Sequence, residues 1–437
     1  MNIAVIGTGY VGLVTGTCLA ETGNNVVCVD IDKEKIEKMQ NRQLPIYEPN
    51  LDILFNRNIK MNRLKFTSSL ENAIREAQII FLALPTPANG DNSADISYVL
   101  KVSEEIGKLV CDYKLIVNKS TVPIGTTKKV YDIISKNAKS TFDVVSNPEF
   151  LREGFAVNDF LRPDRIIIGT SSDRAFDLMS ELYKPYVHSE NQIIKMDEKS
   201  SELTKYACNS FLATKISFIN EMANFCDEVG ADIDLIRIGM SADERIGKHF
   251  LFSGLGYGGS CFPKDLKALI KLGQDNNYDF KIINAISKVN EKQRTSILLK
   301  LEKYFRGDIK GKSIALWGLS FKPDTDDIRE APSLYIIDKL LELGVSVRAF
   351  DPVSISNAKK IYNSKIYFAT DIYDCVKDVD ALIIATEWAS FKNPDLDKMK
   401  SIMKNPAIFD GRNIYDLKHM QKNNFHYESI GRKKIEI

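Results

Sequence analysis

The chain has 437 residues, 44% hydrophobic and 27% charged, and its 59 Lys and Arg against 58 Asp and Glu give a formal net charge of +1. That describes an ordinary globular protein long enough for two or three domains, with no general surface for nucleic acid or anionic membrane. Seven cysteines without a C-x-x-C pair, and no clustering with His188, His249, His419 or His426, count against a disulfide framework or a zinc site and fit a reducing cytoplasm. The longest apolar runs, such as Ile79–Leu84, are strand-sized, well short of the ~20 residues of a membrane span. The N-terminus has no basic leader and reads as a buried strand.

Residues 3–6 form a short apolar strand, followed by Gly7-Thr8-Gly9-Tyr10-Val11-Gly12, a helical stretch over 13–22 and a second strand over 25–29 that ends in Asp30. In this fingerprint the first glycine makes the tight turn, the second admits a pyrophosphate and the third lets the helix pack on the strand. The helix start offers N–H groups and a positive dipole to phosphate. With a strand before, a helix after and Asp30 eighteen residues beyond Gly12, the motif is specific for a dinucleotide. Asp30 accepts the ribose hydroxyls and repels a 2′-phosphate, which favours NAD over NADP.

Strands are expected at 3–6, 25–29, 79–84, 115–118, 143–146 and 166–168, alternating with helices in the pattern of a parallel sheet covered on both faces. Polar loops follow three of them: Pro85-Thr86-Pro87, Ser120 to Thr127, and Asn147 to Glu153. These sit at carboxyl ends, where such sheets bind ligands. From about 200 to 229 the pattern is helical without proline or glycine, with an apolar stripe of Leu203, Ala207, Leu212, Ile216, Ile219, Ala223 and Cys226. About thirty residues span ~45 Å, a length suited to bridging domains or forming a subunit interface. Lys205 and Asn209 share one face of that helix.

Gly256-Tyr257-Gly258-Gly259-Ser260-Cys261-Phe262-Pro263-Lys264-Asp265 is the most informative stretch. Its glycines permit close backbone approach and Pro263 suits a first helical turn, so Cys261 lies just before a helix whose dipole favours a thiolate. Such a site lowers a thiol below its usual pKa of roughly 8.5. A buried structural cysteine is the bland reading, and the dinucleotide motif favours a nucleophile instead. A second α/β start begins near 311, with strands at 345–350, before Asp351, and at 381–386.

Taken in order, these motifs and Phe321-Lys322-Pro323-Asp324-Thr325-Asp326-Asp327-Ile328-Arg329 resemble the UDP-glucose/GDP-mannose dehydrogenase family over the whole chain. Leu44-Pro45-Ile46-Tyr47-Glu48-Pro49 and the length point to its UDP-glucose branch. The resemblance implies an α/β fold of two Rossmann-like doubly wound domains joined by a long central helix in a helical dimerisation domain. The expected divisions are 1–195 for NAD, 196–300 for the helical part with Cys261, and 301–437 for the UDP-sugar. It implies a two-step, four-electron oxidation of a sugar alcohol to a carboxylate with two NAD. Cys261 traps the aldehyde, Lys205 and Asn209 stabilise the oxyanion, Thr121 and Glu149 place a water, and Asp265 with Glu149 assists thioester hydrolysis. NAD contacts are implied for Gly7, Gly9, Tyr10, Val11, Gly12, Asp30, Lys35, Thr86, Thr121, Glu153, Lys264 and Arg329. The sugar nucleotide is implied to touch Glu149, Phe150, Leu151, Lys205, Asn209, Phe252, Gly258, Cys261, Lys322 and Arg412, with Arg245 reaching into the neighbouring subunit of a homodimer.

Lys35 and Arg412 as surface charges, and Phe252 as core, are the bland alternatives. The rival activities are the same chemistry on a UDP-N-acetylhexosamine or GDP-mannose, a two-electron NAD dehydrogenase, and a silent NAD-sensing module. The last two leave Cys261 without a use.

Overall fold

A computed structural model describes residues 1–437, the side chain of residue 190 excepted. By compactness the chain divides into two units, Met1–Cys208 and Asn209–Ile437.

The first unit is built on eight strands: β1 (Asn2–Ile6), β2 (Asn25–Val29), β3 (Leu64–Thr67), β4 (Ile79–Leu82), β5 (Lys114–Asn118), β6 (Phe142–Ser146), β7 (Ile166–Gly169) and β8 (Ile193–Met196). Their order is β3-β2-β1-β4-β5-β6-β7-β8. All neighbours are parallel except β6 and β7, which meet antiparallel at Ser146 and Gly169. Side chains alternate across the sheet, as strand geometry requires. Val5, Phe81 and Val117 enter the core on one face, and Ile6, Ile80, Leu82 and Ile116 the core on the other. Both faces are therefore apolar, and β1, β4 and β5 read as unbroken hydrophobic runs. The strand order reverses between β1 and β4, so the loops after β1, β4, β5 and β6 open on the switch point where such sheets bind ligands.

The second unit carries β9 (Ser313–Trp317), β10 (Ser346–Phe350), β11 (Tyr367–Phe368), β12 (Ala381–Ile384), β13 (Ala407–Asp410) and β14 (His426–Ser429). All are parallel, in the order β11-β10-β9-β12-β13-β14. This repeats the doubly wound plan of the first six strands. The acid after its second strand differs. Asp351 is buried and accepts from Leu319 N at 2.8 Å, Val353 N at 2.9 Å, Ser354 N at 2.8 Å and Trp388 Nε1 at 3.1 Å. Its buried carboxylate holds its own loops together, whereas the Asp30 side chain stays 15% exposed.

The helix Glu198–Val229 runs for 32 residues without a break and crosses the boundary between the units. Its apolar faces differ from the expected stripe. Ile219, Ala223 and Cys226 are buried, but Leu203 is exposed, as are Phe211, Phe218 and Phe225, the last at 57%. The three phenylalanines recur every seven residues and so line one face. Helical spacing marks the apolar positions, but which of them are covered is set by what the fold packs against the helix. Among the described residues no helix is long and apolar enough to cross a membrane.

Candidate active site

In the first unit the glycine loop has the geometry its sequence calls for. Gly7 has φ +94°, and a side chain there would strike Ala83 O at 2.3 Å. A Cβ on Gly12 would meet Gly7 O at 1.9 Å, whereas nothing lies within 4 Å of the Cβ direction of Gly9. The helix Tyr10–Glu21 starts with no side-chain cap, so its leading N–H groups remain for an anion. Val11 is half-buried beside it, and the Tyr10 hydroxyl accepts from Gly154 N at 2.8 Å.

Asp30 accepts from Thr8 N at 3.0 Å, Thr8 Oγ1 at 2.5 Å, Asp32 N at 3.1 Å and Lys35 Nζ at 3.1 Å. Burial pushes its carboxyl up, but the Thr8 and Asp32 bonds and the Lys35 charge outweigh that and hold it below the usual carboxylate range. It is ionised at neutral pH, as a ribose acceptor must be. Lys35 is thus a partner of Asp30 rather than an idle surface charge. The open face of Gly9, the uncapped helix start and the ionised Asp30 together fit NAD.

Farther along the same strand ends, Thr86 Oγ1 donates to Thr121 O at 2.9 Å, tying the loops after β4 and β5. Glu149 and Lys205 form a buried pair: Nζ lies 2.8 Å from Oε1 and 2.7 Å from the Glu149 carbonyl oxygen. Burial pushes the Glu149 carboxyl up, but Lys205, Leu151 N at 2.5 Å and Lys119 bring it below its ordinary value. Phe150 and Leu151 are half-buried, and Phe150 lies 4.0 Å under the Arg165 guanidinium and 5.3 Å from Lys205 Nζ. Glu153 is half-buried on the same loop.

In the second unit, Cys261 is half-buried and immediately precedes the helix Phe262–Asp275, with Pro263 in the first turn. Ser260 Oγ lies 3.6 Å from its Sγ. Asp265 is buried between Asn209 Nδ2 at 2.6 Å and Lys264 Nζ at 3.0 Å. Cys261 caps the helix whose first turn holds Asp265, and Asn209, from the helix Glu198–Val229, brings its amide to that carboxylate. A Cβ on Gly258 would strike Glu330 O at 2.3 Å, and Gly259 has φ +82° and donates to Arg329 O at 2.8 Å. These glycines let the cysteine loop lie flat on the Phe321–Glu330 segment.

Arg412 is not a surface charge. Its Nε donates to Ala385 O at 2.7 Å and faces Glu387 at 3.2 Å, and its Nη2 reaches Phe321 O at 3.3 Å. Lys322 Nζ lies 5.3 Å from the Phe321 ring. Phe252 is 64% exposed under the Arg237 guanidinium at 4.7 Å, so it is not core. Arg329 pairs with Asp327 at 2.6 Å, and Arg245 is an outward-pointing side chain bonded only to Asp243 among the described residues.

Three residues of this region carry no site role in the sequence reading. Glu202 accepts from Gly125 N at 2.5 Å and from Thr127 N and Oγ1, both at 2.7 Å, so it caps the helix Thr126–Ser135 behind the Thr121 loop. Glu48 accepts from Gly154 N at 2.7 Å and Ala156 N at 2.8 Å, anchoring the loop after Glu149. Lys119 is buried beside Asn147. The only signal for Glu202 was its place three residues before Lys205, on the same helical face.

Comparison with known proteins agrees in every segment. Residues 1–187 match the NAD binding domain of the UDP-glucose/GDP-mannose dehydrogenase family, 199–292 its central domain and 315–417 its UDP binding domain. The chain belongs to this family. It is 48% identical over 436 residues to UDP-glucose 6-dehydrogenase TuaD of Bacillus subtilis, covering 99% of this chain and 94% of that one. It is 44% identical to UDP-glucose 6-dehydrogenase of Pseudomonas aeruginosa, over 99% of this chain and 98% of the relative. Among solved structures, a UDP-glucose dehydrogenase from Pyrobaculum islandicum superposes with a TM-score of 0.91 at 34% identity, over 99% of this chain and 98% of that one. The family assignment makes residues 1–187 an NAD-binding domain, in agreement with the glycine fingerprint.

Proposed function

We propose that the protein oxidises UDP-glucose to UDP-glucuronate with two NAD per turnover. The observation that carries this reading is the placement of Cys261 at a helix start beside the Asn209–Asp265–Lys264 group, in a chain whose near-full-length relatives are UDP-glucose 6-dehydrogenases. NAD, when bound, accepts hydride from the sugar carbon. Thr121 and Glu149 hold a water near the alcohol, and Cys261 adds to the aldehyde as a thiohemiacetal so that it stays in place while cofactor exchanges. Lys205 and Asn209 donate to the oxyanion. The thiohemiacetal carbon gives its hydride to a second NAD, leaving a thioester on Cys261. Asp265, with Glu149, directs water at that thioester and takes its proton, so that the carboxylate forms and the Cys261 thiolate leaves. The division into 1–195, 196–300 and 301–437 is the matching functional one: cofactor, helical part with Cys261, and sugar nucleotide.

The exposed face of Phe211, Phe218 and Phe225 supports a homodimer, and the outward-pointing Arg245 supports its contact with the neighbouring subunit's substrate. A cytoplasmic site follows from a cofactor and a sugar nucleotide made inside the cell. The test is stoichiometry: two NADH per UDP-glucose consumed is expected. One NADH, or faster oxidation of a UDP-N-acetylhexosamine or GDP-mannose, would overturn the assignment. Mixing Arg245→Ala with Cys261→Ser chains should restore part of the activity each lacks, and a monomeric active protein would refute the shared site.

A further inference from the structure

Lys119 follows β5 and directly precedes Ser120 and Thr121, yet its side chain runs inward and the residue is only 5% exposed. Its Nζ donates to Asn147 Oδ1 at 3.0 Å and to the Tyr183 hydroxyl at 3.4 Å. Both acceptors are neutral. Asn147 is fully engaged, since its Nδ2 donates to Ile167 O at 2.7 Å and its Oδ1 also accepts from Tyr183 at 2.6 Å. The Tyr183 phenol, from the helix Asp173–Tyr183, is pushed up by burial and stays protonated. The charged groups that face Lys119 are Glu149, on the loop after β6, and Lys205, on the central helix. Burial lowers the ammonium, Glu149 restores part of the loss and Lys205 adds to it, leaving Lys119 down at about 7.

An ammonium held by an amide and a phenol, with no carboxylate bonded to it, weakens a fold relative to an apolar side chain of the same length. Groups of this kind concentrate at functional sites. We propose that Lys119 is a positioning residue that sets the electrostatic potential at the Glu149–Lys205 pair, so that stabilisation of the oxyanion by Lys205 depends on whether Lys119 carries its proton. This rests on the reading of Lys205 as an oxyanion donor. An amine retains two N–H donors, so the bonds to Asn147 and Tyr183 survive deprotonation and only the charge changes. The positive charge is present at low pH and lost as pH rises, and with it goes part of the support for negative charge on the substrate oxygen.

The test compares kcat/KM for UDP-glucose in the unaltered protein and in Lys119→Met from pH 5.5 to 9. The ratio of the two should fall by about tenfold between pH 6 and pH 8.5, the effect of roughly one unit of altered proton affinity, and stay constant above that. The change should lie in kcat, with KM little altered. Asn147→Asp gives Lys119 an anionic partner and should move the fall to higher pH. A ratio that does not change with pH, or an Asn147→Asp profile like that of the parent, would overturn the proposal. If Lys119→Met does not fold, nitrogen-15 lysine NMR of the unaltered protein decides: one lysine titrating near neutrality is expected, and none refutes it. NADH stoichiometry separates the two readings. Two NADH per UDP-glucose with a flat ratio sinks only the role of Lys119, whereas a different stoichiometry sinks the proposed reaction.

Discussion

Lys205→Met tests how far the Glu149–Lys205 pair supports the first unit. The substitution keeps the length of the side chain and its apolar stem, so no sizeable cavity opens. It removes both Nζ contacts, at 2.8 Å to the carboxylate and 2.7 Å to the carbonyl oxygen. Glu149 then stands buried without its main partner, and breaking a buried pair in this way costs about 3–5 kcal/mol. Lys119 still faces Glu149 and offsets part of the loss, which places the expectation near 3 kcal/mol. For a unit of this size each kcal/mol lowers Tm by about 2–4 °C, so a fall of about 6–12 °C is expected at pH 7. The folded carboxyl titrates below its unfolded value of ~4.3, so the support from the pair is present above that pH and lost as pH falls through the folded value. The deficit of Lys205→Met should therefore shrink in acid. Calorimetric melts of parent and variant at pH 7 and pH 4 measure this. A variant that melts with the parent at pH 7 would show that the pair does not hold the unit together.

Asp30→Ala should raise KM for NAD and narrow the preference over NADP, because the ribose loses its acceptor and a 2′-phosphate loses its repulsion; equal use of both cofactors by the parent would refute the role given to Asp30. Cys261→Ser should bind NAD and UDP-glucose yet lose steady-state turnover by at least about a thousandfold, consistent with loss of a covalent nucleophile. Parent-like turnover would exclude the thioester. Glu202→Ala removes the cap from the helix Thr126–Ser135 and should cost about 1–2 kcal/mol in urea unfolding. An unchanged midpoint would show that the cap bonds contribute nothing.

How much of this was legible depends on the range of the interactions. The glycine loop, Asp30, the start of the Cys261 helix and the central helix were readable because each is encoded in adjacent residues by backbone conformation or by periodicity. The buried strands β1, β4 and β5 declared themselves as apolar runs, since both of their faces are covered. The edge strands β3 and β8 did not: Leu64-Lys65-Phe66-Thr67 and Ile193-Ile194-Lys195-Met196 are partly exposed, and only pairing with a neighbour makes them strands. The same reason hid Glu202, Glu48 and Lys119, whose partners lie 75, 106 and 28 residues away.

The sequence by itself determined the dinucleotide motif, the place of Cys261 at a helix start and the family, because local chemistry at fixed spacing is written directly in residue order. Only the tertiary structure decided which apolar residues of the central helix stay uncovered, that Asp351 is buried among its own loops while the Asp30 carboxylate stays partly exposed, and that Lys119 sits buried against neutral acceptors. Burial is set by what packs above a residue, and that neighbour is chosen by the whole fold.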